Sequence, residues 1–267
     1  MRHPLKRELM RVSLAARAAR ELRGLLATRP ARLDWPGGVV SFTFDDFPRS
    51  AWLAGGAVLD RFAVRGTYYA ALGLAGTSGR LGPIFEPGDL AAIARQGHEI
   101  ACHTFSHRDC CRAAPGEIAA EVARNAAAFA ALVDGAGFAN FAYPFGGVSL
   151  AAKRALAGRF ASCRGTGRGI NRGTVDLADL SSTSLYAGDF DPARLCGLID
   201  EARRVGGWLI FYTHDVADDP SPFGCTPAQL AAIVGYAASH AAVLPVSAVL
   251  RAQGLAAAPA AAARRAA

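Results

Sequence analysis

The stretch VVSFTFDD at residues 39–46 decides the fold class of this chain. Its first six residues are apolar or β-favouring, which is typical of a buried strand, and two carboxylates follow directly. Similar short β-rich runs recur downstream and alternate with helical patterns. These runs are TYYAAL at 67–72, HEIAC at 98–102, GFANFA at 137–142, RFASC at 159–163 and WLIFYT at 208–213. The alternation predicts an α/β fold with a parallel sheet or barrel.

Helical patterns fill the gaps between these runs, and several begin beside a proline, a residue favoured in the first helical turn. The predicted helices cover residues 88–96, 116–133, 149–157, 192–205 and 227–239. A chain of 267 residues with 52% hydrophobic content can bury one large core. We therefore expect one catalytic domain over residues 37–253.

The two ends of the chain differ from this domain in composition. Residues 1–35 carry nine Arg or Lys against three acids, although the whole chain has a net charge of only +7. Apolar residues at spacings of three and four predict a basic amphipathic helix over 4–27, and residues 29–36 are interpreted as a linker. This helix could pack on the domain, pair with a partner or lie on anionic lipid. The Ala-rich residues 254–267 are predicted to be a disordered tail.

Composition also limits the partners and the compartment. The positive charge sits at the chain ends and lacks the interleaved aromatic residues of a single-strand groove, so we expect no nucleic acid partner. The six cysteines form no CxxC pair and no regular disulfide framework. No signal-peptide pattern and no run of 18 apolar residues is present. We expect a cytoplasmic protein, with peripheral contact to the inner membrane face through the basic helix as an extension; the oligomeric state stays open.

Polar residues follow three of the predicted strands directly: Asp45 and Asp46, then His103 and His107, then His214. An isolated Asp-Asp pair is more often a turn or a helix cap. In a barrel of parallel strands, however, the carboxyl ends of the strands share one face, so separate loops would deliver these groups to one site. Two histidines and one carboxylate give three ligands and leave an open position for water, which is the catalytic pattern for zinc. The four-residue spacing of the histidines predicts that both lie on one side of a helical turn.

Four short motifs in this order resemble a known family. TFDD at 43–46, HTFSH at 103–107, YPFG at 143–146 and YTH at 212–214 are similar to the motifs of the NodB-homology polysaccharide deacetylases, carbohydrate esterase family 4. The match spans roughly residues 39–250. The resemblance implies a distorted (β/α) barrel that holds one divalent metal ion, most simply Zn²⁺, with Co²⁺ as the alternative.

The resemblance also implies roles for single residues. The metal ligands would be Asp46, His103 and His107. Asp45 would be the general base and His214 the general acid, and the backbone N–H of Phe145 would stabilise the oxyanion. Tyr143, Pro144 and Tyr212 are the expected substrate-binding residues, and Tyr212 would line the acyl pocket.

The sequence departs from the family pattern at several positions. The arginine that family members often carry two residues before the motif proline is replaced by Ala142, and the pattern glycine after the Asp pair is replaced by Phe47. Phe47 and Tyr212 suggest an altered substrate or acyl pocket. Candidates to replace the missing arginine are Arg164, Arg168 and Arg172. Candidates to orient His214 are Asp176, Asp179, Asp189 and Asp215.

Other histidines and cysteines are given no role in the site. His98 lies inside a strand-like run and is interpreted as a core residue, whereas His3 and His240 lie in or beside helical segments. Cysteines near the predicted ligands, namely Cys102, Cys110 and Cys111, are not expected to bind the metal because the Asp-His-His set is already complete.

These observations favour hydrolysis of N-acetyl, or alternatively O-acetyl, groups on amino sugars of a polysaccharide or its lipid-linked precursor. A second hypothesis keeps the site and changes the substrate to a small amide, a formamide or a cyclic imide. A third hypothesis, a carbohydrate-binding protein without turnover, is disfavoured because the base, the ligands and the acid are all present.

Overall fold

The computed structural model describes residues 27–256. The predicted basic helix, except for its last residue, and the Ala-rich tail from residue 257 onward lie outside the described residues. The strands are β1 (Pro30–Leu33), β2 (Val39–Phe44), β3 (Thr67–Ala70), β4 (Ser78–Gly79), β5 (Gly82–Pro83), β6 (Glu99–Cys102), β7 (Asn140–Ala142), β8 (Ser162–Arg164), β9 (Gly173–Asp176), β10 (Thr183–Ser184), β11 (Trp208–Thr213) and β12 (Ala242–Val243).

Helices cover the sheet between these strands. They are α1 (Ala57–Arg61), α2 (Pro87–Arg95), α3 (Pro115–Leu132), α4 (Leu150–Leu156), α5 (Pro192–Val205), α6 (Pro227–His240) and α7 (Val246–Ala252). A π-helical turn, Ala51–Gly56, runs directly into α1, and 3₁₀ turns occupy Leu72–Leu74, Pro144–Gly146 and Ala187–Asp189. Among residues 27–256, no helix combines the length and the apolar character that a membrane span requires.

The predicted strands and helices are all present, and the largest differences lie at two strand starts. The strand predicted from residue 137 begins at Asn140, and the strand predicted from 159 begins at Ser162. The helix predictions succeed because Pro87, Pro115, Pro192 and Pro227 each open a helix. At α6, for example, Thr226 and Gln229 complete a capping box on either side of Pro227.

The main sheet is parallel throughout and has the strand order β10-β11-β2-β3-β6-β7-β8. The central strands β2 and β11 pair in register from Val39 opposite Trp208 to Phe44 opposite Thr213. β12 pairs with the first residues of β2, where β3 has not yet joined it. After β8 the chain passes back beside the end of that strand, where Leu180 forms a parallel β-bridge with Arg164. β10 begins three residues later. The sheet therefore curls into the distorted (β/α) barrel that the sequence predicts.

The structure shifts both predicted ends of the domain. Residues 30–33, interpreted as part of a linker, form β1, which pairs antiparallel with β9. This pairing places Leu33 in the core, so the domain begins before residue 37. At the other end, residues 254–256 are described, and Leu255 packs against the cluster that contains Val249 and Leu250. The sequence also gave no prediction for the helical segment from Ala51 to Arg61.

Candidate active site

The carboxyl ends of the parallel strands bring the predicted site residues to one edge of the sheet. β2 and β11 end side by side, so Asp45 and His214 leave neighbouring strands at the same level. β3 and β6 end together at Ala70 and Cys102, and His103 follows immediately. The loops that carry the aspartates, the histidine pair and His214 therefore meet over one face, as the sequence predicts from strand topology.

Asp46, His103 and His107 form a compact cluster. One ligand atom of each lies within 4.8 Å of the others. Oδ1 of Asp46 is 2.9 Å from Nε2 of His107 and 3.4 Å from Nε2 of His103. His103 is almost fully buried, and the side chains of the other two are only slightly exposed. The structure thus brings together three donors that suit a divalent cation.

Two further features of this cluster fit a cation. Oδ1 of Asp46 is buried and makes no hydrogen bond of normal geometry with the described residues, although two imidazoles face it. Nδ1 of His103 lies 2.9 Å from the carbonyl oxygen of Ala142, so its N–H donates there and Nε2 keeps a lone pair for a metal. Burial acts to raise the pKa of Asp46, but the two imidazoles that face its carboxylate outweigh this and hold the pKa well below its usual range.

The two histidines do not lie on a helical turn, so that prediction is wrong. Residues 103–107 form a loop in which Thr104 and His107 have positive φ angles of 59° and 55°. Oε2 of Glu121, on α3, accepts hydrogen bonds from the N–H groups of Phe105 and Ser106 at 3.0 and 2.7 Å. This carboxylate fixes the turn that points both imidazoles towards Asp46.

Backbone strain is concentrated around the site. Of the six non-glycine residues with positive φ in the described chain, all but Ala63 lie in the site loops: Asp46, Phe47, Thr104, His107 and Phe145. Such conformations cost about 1–3 kcal/mol each and persist where the surroundings over-determine them. Their clustering is therefore an indication of a functional site that is independent of the residue types.

Asp45 is buried, and its carboxylate forms an ion pair with the guanidinium of Arg164 at the end of β8. The Arg164 side chain also donates to the hydroxyl of Ser182 at 3.2 Å and lies between the rings of Tyr69 and Tyr212. Burial alone would lower the pKa of Arg164, but the charge of Asp45 raises it. Among the three candidates for the missing family arginine, the structure selects Arg164.

Phe47 does not shape a substrate pocket, contrary to the prediction. Its ring is fully buried and stacks on Phe85, with ring centroids 4.5 Å apart, and it also contacts Tyr68. Phe47 therefore anchors the loop after β2 to the chain before α2. Tyr212, the other departure from the family pattern, does line the cleft.

His214 approaches the carboxylate oxygen of Asp46 that is not the one nearest the other two histidines. Its Nε2 is 3.9 Å from Oδ2 of Asp46, and its Nδ1 is 3.2 Å from the carbonyl oxygen of Phe223. The rings of Tyr186 and Phe223 lie within 6 Å of the imidazole. The position where a carboxylate was expected is thus taken by a backbone carbonyl, a partner that leaves no signal in the sequence.

An open cleft of about 610 Å³ lies over these groups. It is lined by Asp45, Asp46, Arg80, Leu81, His103, His107, Phe145, Gly146, Thr166, Tyr186, Tyr212, His214 and Phe223. Phe145 has a positive φ of 60°, and its largely exposed ring packs on His107 at 4.4 Å. Sequence reasoning missed Arg80, Thr166, Tyr186 and Phe223 because they come from loops without a motif.

Tyr143 and Pro144 are not among the residues that line the cleft, and their role as substrate-binding residues stays a prediction. The side chain of Tyr143 is buried, and its hydroxyl donates to the carbonyl of Ala178 at 2.9 Å. Pro144 is buried as well. The role of this motif in the structure is to turn the chain so that Phe145 reaches the cleft.

The remaining histidines and cysteines in the described chain lie apart from the cluster. His98 is buried, and its Nδ1 accepts a hydrogen bond from the N–H of Gly66. Burial lowers the pKa of His98 to about 4. Cys102 and Cys110 are buried thiols, and burial raises the pKa of each to about 12, which disfavours thiolate ligation.

The donor cluster leaves an open position that faces a wide cleft, which is the arrangement of a metal-dependent hydrolase. The model of the polysaccharide deacetylase family matches residues 33–158 of this chain. Members of this family are hydrolases that act on acetylated sugars. Comparison with curated proteins gave no match.

Solved structures of the same fold include deacetylases and esterases. The chitin deacetylase of the fungal pathogen Colletotrichum lindemuthianum is 16% identical with a TM-score of 0.58, over 81% of this chain and 89% of that chain. A family 4 acetyl xylan esterase from Clostridium thermocellum, in complex with a cobalt ion, is 20% identical with a TM-score of 0.55, over 81% and 92%. The Xyl-CE4 domain of a xylanase from the hindgut metagenome of Trinervitermes trinervoides is 18% identical with a TM-score of 0.54, over 83% and 93%. At these identities the likeness establishes the fold.

Proposed function

We propose that this protein hydrolyses N-acetyl groups on amino sugars of a polysaccharide or its lipid-linked precursor, with a bound divalent ion. One observation carries the proposal: a three-donor cluster and a second, arginine-paired carboxylate, Asp45, face the same cleft. A cleft of about 610 Å³ suits a sugar chain better than a small amide or a cyclic imide.

Asp46, His103 and His107 would hold the ion. Two imidazole nitrogens and one carboxylate oxygen favour Zn²⁺, and Co²⁺ accepts the same donors. The cobalt ion in the acetyl xylan esterase from Clostridium thermocellum supports this pair of candidates. When bound, such an ion polarises the acetyl carbonyl and makes water a better nucleophile near neutral pH.

Asp45 would act as the general base. Arg164 binds Oδ1 of this carboxylate, so Oδ2 is left to accept the proton of the attacking water. The buried guanidinium fixes the carboxylate in one orientation, and positioning of this kind lowers the activation barrier.

The protein would supply two further groups to the reaction. The N–H of Phe145, in a strained turn at the cleft, would donate to the developing oxyanion, and one such donor is typically worth about 3 kcal/mol. His214 would protonate the departing amine through Nε2, while its Nδ1–H donates to the carbonyl of Phe223.

The cellular setting is part of the proposal as well. We propose a substrate that is modified in the cytoplasm, while the glycan is still being assembled. The described cysteines are all free thiols, which agrees with this setting. The membrane contact of the basic helix stays a prediction, because residues 1–26 lie outside the described chain.

The test is acetate release from N-acetylglucosamine oligomers by metal-stripped protein titrated with Zn²⁺ or Co²⁺. We expect release that depends on the metal and falls about 10²- to 10⁴-fold in Asp45→Asn, the range for loss of a general base. Asp89→Asn is the matched control, since Asp89 is a buried carboxylate paired with Arg49 outside the cleft lining. Release without metal, or full activity of Asp45→Asn, would contradict the proposal. Metal binding with turnover of formamides alone would favour the small-amide hypothesis.

A further inference from the structure

A short hairpin stands beside the metal-ligand cluster. Strands β4 and β5 pair as Ser78 opposite Pro83 and Gly79 opposite Gly82, so Arg80 and Leu81 form the two-residue tip. Both tip residues line the cleft. The catalytic roles proposed above make no use of this hairpin.

The base of the hairpin is fixed to the loop that carries Asp46. The N–H of Phe85 donates to the carbonyl of Phe47, the residue next to Asp46, at 3.2 Å. The rings of Phe47 and Phe85 stack, and Pro48 forms a β-bridge with Ile84. The position of Arg80 is therefore coupled to the position of the ligand loop by buried contacts.

The charges in the cleft leave Arg80 available for a ligand. Among the described residues that line the cleft, Arg80 is the one arginine or lysine. It is exposed, and none of the described residues forms an ion pair with it. The two carboxylates of the cleft are already engaged: Asp45 pairs with Arg164, and Asp46 faces His103 and His107.

A substrate that enters the cleft meets the positive charge of Arg80 at the hairpin tip. A cation at this position favours anionic ligands and speeds their association.

We propose that Arg80 is a specificity-determining residue that binds an anionic group, a carboxylate or a phosphate, on the substrate close to the acetylated sugar. This inference rests on the proposed function and narrows its substrate to an acidic glycan or a sugar phosphate. The planar guanidinium can hold either group through two parallel hydrogen bonds. A hairpin tip suits this role because the side chain of Arg80 can reach into the cleft without being packed in the core.

The experiment compares anionic and neutral substrates in wild type, Arg80→Gln and Arg95→Gln. The carboxylate arm uses a tetrasaccharide of alternating glucuronic acid and N-acetylglucosamine against the N-acetylglucosamine tetramer. The phosphate arm uses N-acetylglucosamine 1-phosphate against its methyl glycoside. Arg95 is an exposed arginine of α2 outside the cleft lining, so its variant changes the net charge equally.

In wild type we expect kcat/KM to be about three- to tenfold higher for the anionic member of at least one pair, as for a partly screened ion pair. Arg80→Gln should lose most of that ratio, whereas Arg95→Gln should keep it, and added salt should reduce it in wild type. The arm that shows the ratio identifies the anionic group.

Binding of the two substrate pairs to the metal-free protein, measured by calorimetry, gives a second readout that needs no turnover. Equal binding of both members of each pair by wild type, or a preference that survives in Arg80→Gln, would overturn the inference. Acetate release from neutral oligomers in that case would leave the proposed function standing. Anion-selective binding without acetate release from any substrate would support the inference about Arg80 and contradict the deacetylase proposal.

Discussion

The ion pairs Arg164–Asp45 and Lys153–Asp176 are both buried, yet they serve different parts of the molecule. In each pair the cationic side chain is only 1% exposed. Asp176 also accepts hydrogen bonds from the backbone N–H groups of Thr28, Arg29 and Ala178, so its carboxylate is saturated. Asp45 is held at one oxygen and faces the cleft.

The different numbers of donors to Asp176 and Asp45 indicate how a buried ion pair can either stabilise the fold or position a reactive group. A carboxylate with all its lone pairs occupied ties β9 to the chain before β1 and stabilises the fold. A carboxylate with one oxygen left open is oriented but stays reactive. Burial and charge are alike in the two pairs, and the number of additional donors separates them.

Replacing Arg164 with Met should produce the largest effect. It leaves Asp45 buried without a partner, which costs about 3–5 kcal/mol of unfolding free energy, and misorients the base, so kcat/KM should fall at least 100-fold. Denaturant unfolding and acetate release measure the two losses. Arg164→Lys keeps the positive charge but lacks the planar guanidinium. Its unfolding free energy and kcat/KM should lie between those of wild type and Arg164→Met. Wild-type kcat/KM in Arg164→Met would show that this pair does not position the base.

Replacing Asp176 with Asn should affect stability alone. Loss of the charged partner of Lys153 should lower the unfolding free energy by about 3 kcal/mol, while kcat/KM of the folded protein stays within about twofold of wild type. Lys153→Met should cost a similar amount, and the two losses should not add in the double variant. A large loss of activity at unchanged stability in Asp176→Asn would break the distinction between the pairs.

The pH dependence of stability should differ between wild type and Asp176→Asn by a smaller amount. Burial alone would raise the pKa of Asp176, but hydrogen bonds from Lys153 and from backbone N–H groups outweigh this and lower it. A lowered pKa stabilises the fold above the unfolded value of about 3.9, and the contribution disappears as the pH falls through the folded value. The difference in unfolding free energy between wild type and the variant should therefore be largest near neutrality and shrink on acidification. A difference that stays constant from pH 7 to pH 3 would remove Asp176 as its source.

Much of the fold was predictable because the relevant signals are local. The run at 39–44 is rich in β-branched and aromatic residues, and β2 is buried along its whole length. Helix starts are marked by prolines and capping residues that act within one turn. β1 was missed because PARL has no apolar alternation, and it becomes a strand through its pairing with β9, about 140 residues further along the chain.

The site was predictable to the extent that its residues follow strands. The positions of Asp45, Asp46, His103, His107 and His214 after predicted strands were enough to place them on one face. The helical turn for the two histidines was wrong because spacing cannot report the positive φ angles that Glu121 helps to hold. The burial of Tyr143 and Pro144 was not predictable because a motif does not say which side chains point into the core.

The sequence by itself determined the order of six strands of the main sheet and of the helices between them, the resemblance to a family and the set of residues that face the cleft from strand ends. These depend on periodicity, on turn chemistry and on motif order, which are properties of neighbouring residues. Only the tertiary structure decided that Arg164 replaces the missing arginine, that the carbonyl of Phe223 holds His214 and that Arg80 stands over the cleft. The contact of Arg164 with Asp45 joins segments 119 residues apart, and the hairpin tip meets the other site loops only through folding. Phe223 is near His214 in the chain, but its backbone carbonyl and the loop position of Arg80 carry no pattern in the sequence.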